Sequence, residues 1–118
     1  MENVLQRLMA IPGVTGALLS GKDGVVRAST LPHDEAELLG AMAAAAFDAC
    51  ARYIPQVPQL GSGAVRHALF ETSGGAVQVA ETGDTLIVVR SSQQAALGRV
   101  RLELLRATGQ LARRPGGR

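Results

Sequence analysis

The sequence predicts one α+β domain with the element order α-β-β-α-β-β-β-α and a five-stranded antiparallel sheet. Three observations carry this prediction. The chain has 118 residues, close to the commonest size of a single domain. Glycine-containing turns separate short apolar runs, which is typical of antiparallel hairpins. Between the second and third of these runs lies one long apolar segment, at residues 34–54, that far exceeds the length of a strand.

Side-chain spacing and turn residues set the expected bounds of each element. A short helix begins after Asn3 and ends before Pro12, and an Asp23-Gly24 turn joins the first two strands. The expected strands cover residues 14–20, 25–29, 64–71, 75–81 and 85–90, and the later helices cover 34–54 and about 92–111. The run from Leu86 to Val89 does not alternate with polar residues, so both faces of the sheet are expected to be covered. The long helix then lies on one face and the terminal helices on the other.

Polar residues before each later helix suggest how these helices begin. Asp34 is expected to cap the long helix, with Glu37 as the reciprocal member of a capping box. Ser91 or Ser92 is expected to cap the last helix. In the last helix, Leu102 and Leu105 are expected to broaden the apolar stripe that faces the sheet.

The long helix at residues 34–54 is apolar around about 240° of its circumference, whereas a helix that covers one sheet needs little more than about 100°. The charged residues in the body of the helix, Glu37, Asp48 and Arg52, all lie in the remaining wedge. One interpretation is a core helix of a monomer. The favoured one is a helix that packs on its own sheet and on a second copy of the chain, through small or flat residues. The residues expected nearest the partner helix are Gly40, Ala43, Ala44, Phe47 and Ala51.

The third strand, at residues 64–71, is expected to be an edge strand that pairs with its own copy across a two-fold axis. Such pairing removes an exposed edge that is otherwise prone to aggregation. Arg66, Ala68 and Phe70 then belong to the dimer interface, and Arg66 of one chain lies near Glu71 of the other.

Composition excludes several classes of function. Three arginines lie in the segment 112–118, which is expected to be a disordered basic tail outside a single domain at 1–111. Removing them takes the net charge from +2 to −1, and only Arg99, Arg101 and Arg106 cluster, so a solvated helix face is preferred to nucleic-acid binding. The one cysteine, Cys50, favours a buried side chain and a reducing, cytoplasmic setting. Neither a signal peptide nor a transmembrane segment is expected.

No catalytic, cofactor-binding or metal-binding residues are predicted, and the chain is not expected to be an enzyme. The stretch Gly16–Lys22 resembles a phosphate-binding loop, but Asp23 stands where a hydroxyl would ligate magnesium, and the chain continues as a strand. His33 and His67 are the two histidines, too few for a structural zinc site without a second cysteine. No Ser-His-Asp set is specified.

Taken in their order along the chain, these segments resemble the roadblock family, also called the roadblock/dynein light chain family. The resemblance covers nearly the whole chain. The resemblance rests on IPGVTGALLSGKDGVVRAS, the alanine-rich helix, ALFETSGGAVQVAETGDTLIVV and the LGRVRLEL helix. It implies a dimer with a continuous sheet across two chains and paired central helices. It also implies a function, because bacterial and archaeal members resembling this chain are typically adaptors or regulators of Ras-like small GTPases. The family's gliding-motility and polarity regulator, a GTPase-activating protein, is longer than this chain.

Three function classes follow from the residues and the resemblance. The first is a dimeric, non-catalytic module that binds and regulates a Ras-like small GTPase through Glu37, Asp48 and Arg52. The second is a scaffold subunit of a signalling or motor-type complex without GTPase regulation. The third is a sensor that binds a small ligand between the sheet and the long helix.

Overall fold

Three helices and five strands follow in the predicted order in the computed structural model, which describes residues 2–60 and 63–113, and the side chains of 3–60 and 63–111. The elements are α1 (Glu2–Met9), β1 (Val14–Gly21), β2 (Val26–Ser29), α2 (His33–Tyr53), a 3-10 turn (Ile54–Gln56), β3 (His67–Thr72), β4 (Gly75–Thr82), β5 (Thr85–Ser91) and α3 (Leu97–Arg113). Residues 114–118 of the predicted tail lie outside the described residues.

The strands form one antiparallel sheet in the order β2-β1-β5-β4-β3. Its two faces bury different cores, and the central strand β5 contributes to both of them. Ile87 and Val89 pack under α1 and α3, whereas Leu86 and Val88 pack under α2. The predicted layer arrangement is therefore confirmed, and β2 and β3 are the two edges of the sheet.

The starts of α2 and α3 differ from those predicted. The N-cap position of α2 is Pro32, whose carbonyl accepts a hydrogen bond from the Ala36 N–H, and no side chain caps the helix. Asp34 instead lies within the first turn, where its charge favours the helix dipole. Ser91 is the last residue of β5, and the Ser92 N–H donates to the Gly13 carbonyl. Helix α3 begins five residues later, at Leu97, so neither serine caps it. The predicted caps at Asp34, Ser91 and Ser92 are therefore wrong.

Arg90 of β5 ties the first turn of α2 to the sheet. Its guanidinium donates to Glu35 at 3.0 Å, to the Thr15 hydroxyl at 3.0 Å and to the Thr15 carbonyl at 3.0 Å. Because α2 lacks a side-chain cap, this link fixes the end of the helix that is least secured by its own hydrogen bonds.

We expect Arg90→Ala to lower the free energy of unfolding by about 1–2 kcal/mol, because hydrogen bonds to a charged group are lost at a half-buried site. Urea denaturation followed by circular dichroism measures the change. Glu35→Ala is the matched control and should cost less than about 1 kcal/mol, since it removes only the more exposed ion pair. Equal losses for the two variants would contradict the role assigned to the Thr15 contacts.

Candidate interaction surface

Four of the residues predicted to face a partner helix lie on the inner face of α2. Gly40, Ala43, Ala44 and Phe47 are all buried, and the last three belong to the core between α2 and the sheet. At Gly40 a Cβ atom would lie 2.9 Å from the Val26 side chain. The small residues therefore let α2 approach its own sheet, and these four side chains are not available to a second chain.

The outer face of α2 carries a separate apolar stripe. Leu38, Met42 and Tyr53 are 74%, 45% and 60% exposed. Ala45 and Ala49, also exposed, complete the stripe between them. Successive members are three or four residues apart, so they occupy one side of the helix. We call Leu38, Met42, Ala45, Ala49 and Tyr53 the outer stripe.

An open groove of about 500 Å3 separates the C-terminal end of α2 from β3. Cys50 and Ile54 line it from α2 and the turn that follows, and Ala68 and Phe70 line it from β3. Ala68 and Phe70 are partly buried and point toward the α2 side of the sheet. The predicted interface residues of β3 thus lie across the groove from α2. Because the groove is lined from both elements, an apolar surface extends from α2 through the groove to β3.

Strand β3 pairs with β4 on one side, and no other strand of the described chain pairs with its outer edge. Arg66 lies just before the strand, with an exposed side chain and a carbonyl that accepts the Glu81 N–H. Ala51, also predicted to face a partner, is exposed but borders a different recess, beside Lys22 and Glu81.

The charged wedge of Glu37, Asp48 and Arg52 is exposed on the flank of α2 that faces β2, away from the groove. Arg52 donates to Asp48 at 2.6 Å, and both side chains are 62% exposed. Glu37 is 3.4 Å from His33 and borders a second groove, beside β2. The wedge is therefore exposed in the single chain, with Arg52 next to the outer stripe and Glu37 and Asp48 farther from it.

The described residues hold no group of three or more His, Cys, Asp or Glu side chains placed to bind a metal ion. Gly16–Lys22 forms most of β1 and the turn that follows, so no helix begins there to face an anion. Among the described helices none is both long and apolar enough to cross a membrane. What the surface offers is an apolar face, a free strand edge and a charged flank.

The sequence comparison identifies the family of the chain. The family model of the Roadblock/LC7 domain matches residues 1–91. The chain belongs to this family. Three uncharacterized proteins of Methanocaldococcus jannaschii are each 34% identical over 112 residues, which span 94% of this chain and 96%, 96% and 92% of theirs.

Solved structures show the same fold. The Roadblock/LC7 domain from Streptomyces avermitilis superposes with a TM-score of 0.85 at 20% identity, covering 94% of this chain and 93% of that one. Myxococcus xanthus MglB superposes with a TM-score of 0.79 at 19% identity, covering 93% and 89% of the two chains. At these identities the likeness establishes the arrangement of helices and strands.

Proposed function

We propose that this roadblock domain is a cytoplasmic homodimer, without catalytic activity of its own, that binds and regulates a Ras-like small GTPase. The observation that carries the proposal is the continuous apolar surface formed by the outer stripe, the groove and β3. A second copy of the chain can cover all three parts at once. Among solved structures of this fold, one is described as MglB with a tetrameric arrangement, so assembly is a property of at least one related protein.

An antiparallel second α2 suits the order of residues along the outer stripe. When Ala45 and Ala46 of the two helices cross, Met42 lies opposite Ala49 of the partner subunit, and Leu38 lies opposite Tyr53 of the partner subunit. Large side chains thus face small ones near the crossing, where the helices approach most closely. Exposed, the stripe would form an apolar patch of a kind that monomers rarely leave uncovered.

Pairing of β3 with its copy satisfies the free edge in the same dimer. The strand is short and contains no proline, so the N–H groups on its outer edge, one from every second residue, can all donate to the new ladder. The contact predicted between Arg66 and the partner's Glu71 does not fit this dimer, because residues five apart on a strand point to opposite faces of the sheet; Ala68 and Phe70 instead lie near their own copies in reciprocal contacts. The sheet becomes continuous across the two chains, and the paired α2 helices lie together on one of its faces.

The flank bearing Glu37, Asp48 and Arg52 is proposed as the GTPase-binding surface. It lies on a rigid helix, which holds a binding site more accurately than a loop does. Because the dimer is two-fold symmetric and a GTPase is not, we expect one GTPase per dimer. Arg52 pairs with Asp48 on the exposed surface of α2, and nothing marks it as a catalytic finger. Any stimulation of hydrolysis would therefore come from ordering the GTPase's own switch loops.

We expect the dimer to bind its GTPase at least about tenfold more tightly with a GTP analogue than with GDP, since the switch loops differ between the two states. Calorimetric titration against purified Ras-like small GTPases from the same organism measures both affinities. Asp48→Arg should weaken the complex, because it reverses a charge in the wedge, whereas Asp84→Arg reverses a charge at the β4–β5 turn, outside the wedge, and should not.

Equal affinity for the two nucleotide states would contradict regulation and favour the alternative, a scaffold subunit that binds without sensing the nucleotide. Equal effects of the two charge reversals would place the contact outside the wedge. A ligand sensor predicts neither result, since its partner would occupy the groove between α2 and β3.

A further inference from the structure

Helix α3 exposes two leucines on the side that faces away from the sheet. Leu102 is 64% exposed and Leu105 is 45% exposed, although both were expected to extend the inner stripe. The inner stripe consists instead of Val100, Leu104 and Ala107, which are at most 2% exposed. The outer leucines are three residues apart and thus adjacent on the helix surface. The core therefore does not account for them, and neither does the proposed dimer, which uses α2 and β3.

Arginines surround these leucines. Arg99, Arg101 and Arg106 are exposed on the same helix, on either side of Leu102 and Leu105. The one acidic residue of α3, Glu103, is 3.3 Å from Arg106 and largely buried, so it presents little negative charge to solvent. Arg7 of α1 adds a further exposed positive charge to this face. On the opposite face, α2 carries four carboxylates and one arginine. The two faces of the sheet are therefore of opposite sign.

We propose that the outer face of α3 binds an anionic membrane surface, with Leu102 and Leu105 inserted among the headgroups and Arg99, Arg101 and Arg106 contacting lipid phosphates. An amphipathic helix with basic residues flanking apolar ones lies in the membrane interface in this way. Guanidinium groups match the geometry of phosphate oxygens, which complements the charge of this surface.

The shape of the site favours a membrane over an acidic protein. Leu102 and Leu105 stand on a convex helix, and neither lines the grooves beside α2, β2 and β3 described above. A convex apolar ridge needs a partner that deforms or provides its own groove, and a lipid headgroup layer deforms readily. A protein partner instead usually receives such a ridge in a preformed pocket.

Two copies of the site would act together, a step that rests on the proposed dimer. Antiparallel pairing of β3 with its copy places the two-fold axis perpendicular to the sheet, so both α3 helices lie on the same side. The second helix then binds a surface to which the first is already attached, which raises the overall affinity. The α2 face, with the wedge proposed for the GTPase, remains turned away from the membrane.

Co-sedimentation of the full chain with vesicles tests the proposal. We expect binding to phosphatidylcholine vesicles that contain phosphatidylserine, weak binding to phosphatidylcholine alone, and loss of binding at high salt. Arg101→Ser should weaken binding about fivefold or more, and Leu102→Ser about tenfold. Lys22→Ser and Val25→Ser are the matched controls, because they remove a charge and an exposed apolar side chain elsewhere. They should change binding less than about twofold.

Equal binding to both kinds of vesicle, or equal losses from Arg101→Ser and Lys22→Ser, would overturn the proposal. The proposal would also be overturned if the wild-type chain did not bind vesicles and Leu102→Ser abolished binding to an acidic protein. Sedimentation velocity of the protein without vesicles measures the oligomeric state, so it tests the dimer separately from the membrane site. A monomer that still binds acidic vesicles would refute the dimer and leave the membrane site standing.

Discussion

Replacing Ala45 by glutamate is expected to convert the dimer into a folded monomer. In the proposed dimer Ala45 lies where the two α2 helices cross, so the new carboxylate would lie near its own copy across the proposed two-fold axis. Burying an unpaired charge there costs about 3–5 kcal/mol, which raises the dissociation constant by at least about a hundredfold. The side chain is exposed in the single chain, so the monomer itself should keep its fold. Sedimentation velocity over a concentration series measures the change.

Ala51→Glu is the matched control, because the same substitution falls on the same helix but on the flank beside Lys22. It should leave the dimer intact, although Ala51 was among the residues predicted from the sequence to face the partner. The interface assignment would be refuted if Ala51→Glu separated the chains and Ala45→Glu did not. Ala44→Glu should behave differently from both, since Ala44 is 6% exposed within the core and the fold itself should be lost.

The width of the apolar arc on α2 was evident from the sequence, but its division into two faces was not. Alanine and leucine occur on both faces, and the charged wedge separates them on one side only. Composition therefore gave no indication of which small residues pack on the sheet. Spacing does not distinguish the two faces either, because the inner face, at Ala36, Gly40, Ala43 and Phe47, repeats at the same steps of three and four residues as the outer stripe.

Helix α3 shows a similar limit. Leu102 and Leu105 are as hydrophobic as the core residues beside them, so an apolar count assigns them to the inner stripe. Their exposure follows from the geometry of Val100, Leu104 and Ala107, which already cover the sheet. The arginines at 99, 101 and 106 were the available signal, since they occupy the same side of the helix as the outer leucines.

The starts of α2 and α3 could not be predicted from capping residues. Tertiary contacts replace the expected side-chain caps. Arg90 secures the first turn of α2, and the Ser92 N–H donates to the Gly13 carbonyl in the segment between β5 and α3. The order of elements along the chain depends instead on turn residues and apolar runs, which are local features, and the layers follow from the apolar run of β5. These were predicted correctly, whereas the order of the strands within the sheet was not predicted.

Gly75→Ala is expected to have the largest effect on the stability of the single chain. Gly75 begins β4 with a φ of +143°, a conformation that residues with a side chain rarely adopt. A Cβ atom there would overlap the Ser91 carbonyl oxygen, which belongs to the backbone of β5 and cannot move without shifting the strand. Strain and strand displacement together should lower the free energy of unfolding by about 3 kcal/mol or more.

Gly83→Ala is the control, because Gly83 also has a positive φ, of +61°, but a Cβ atom would meet no atom within 4 Å. It should lower the free energy of unfolding by about 1–2 kcal/mol, because only the left-handed conformation is then unfavourable. Urea denaturation gives both values, and similar losses would show that the contact with Ser91 is unimportant. Gly75 also begins the strand that holds β3 in place, with Thr72 as its pair. Gly75→Ala should therefore weaken the proposed dimer as well, whereas Gly83→Ala should not, because the edge proposed to pair with a second copy is positioned through the β3–β4 hairpin.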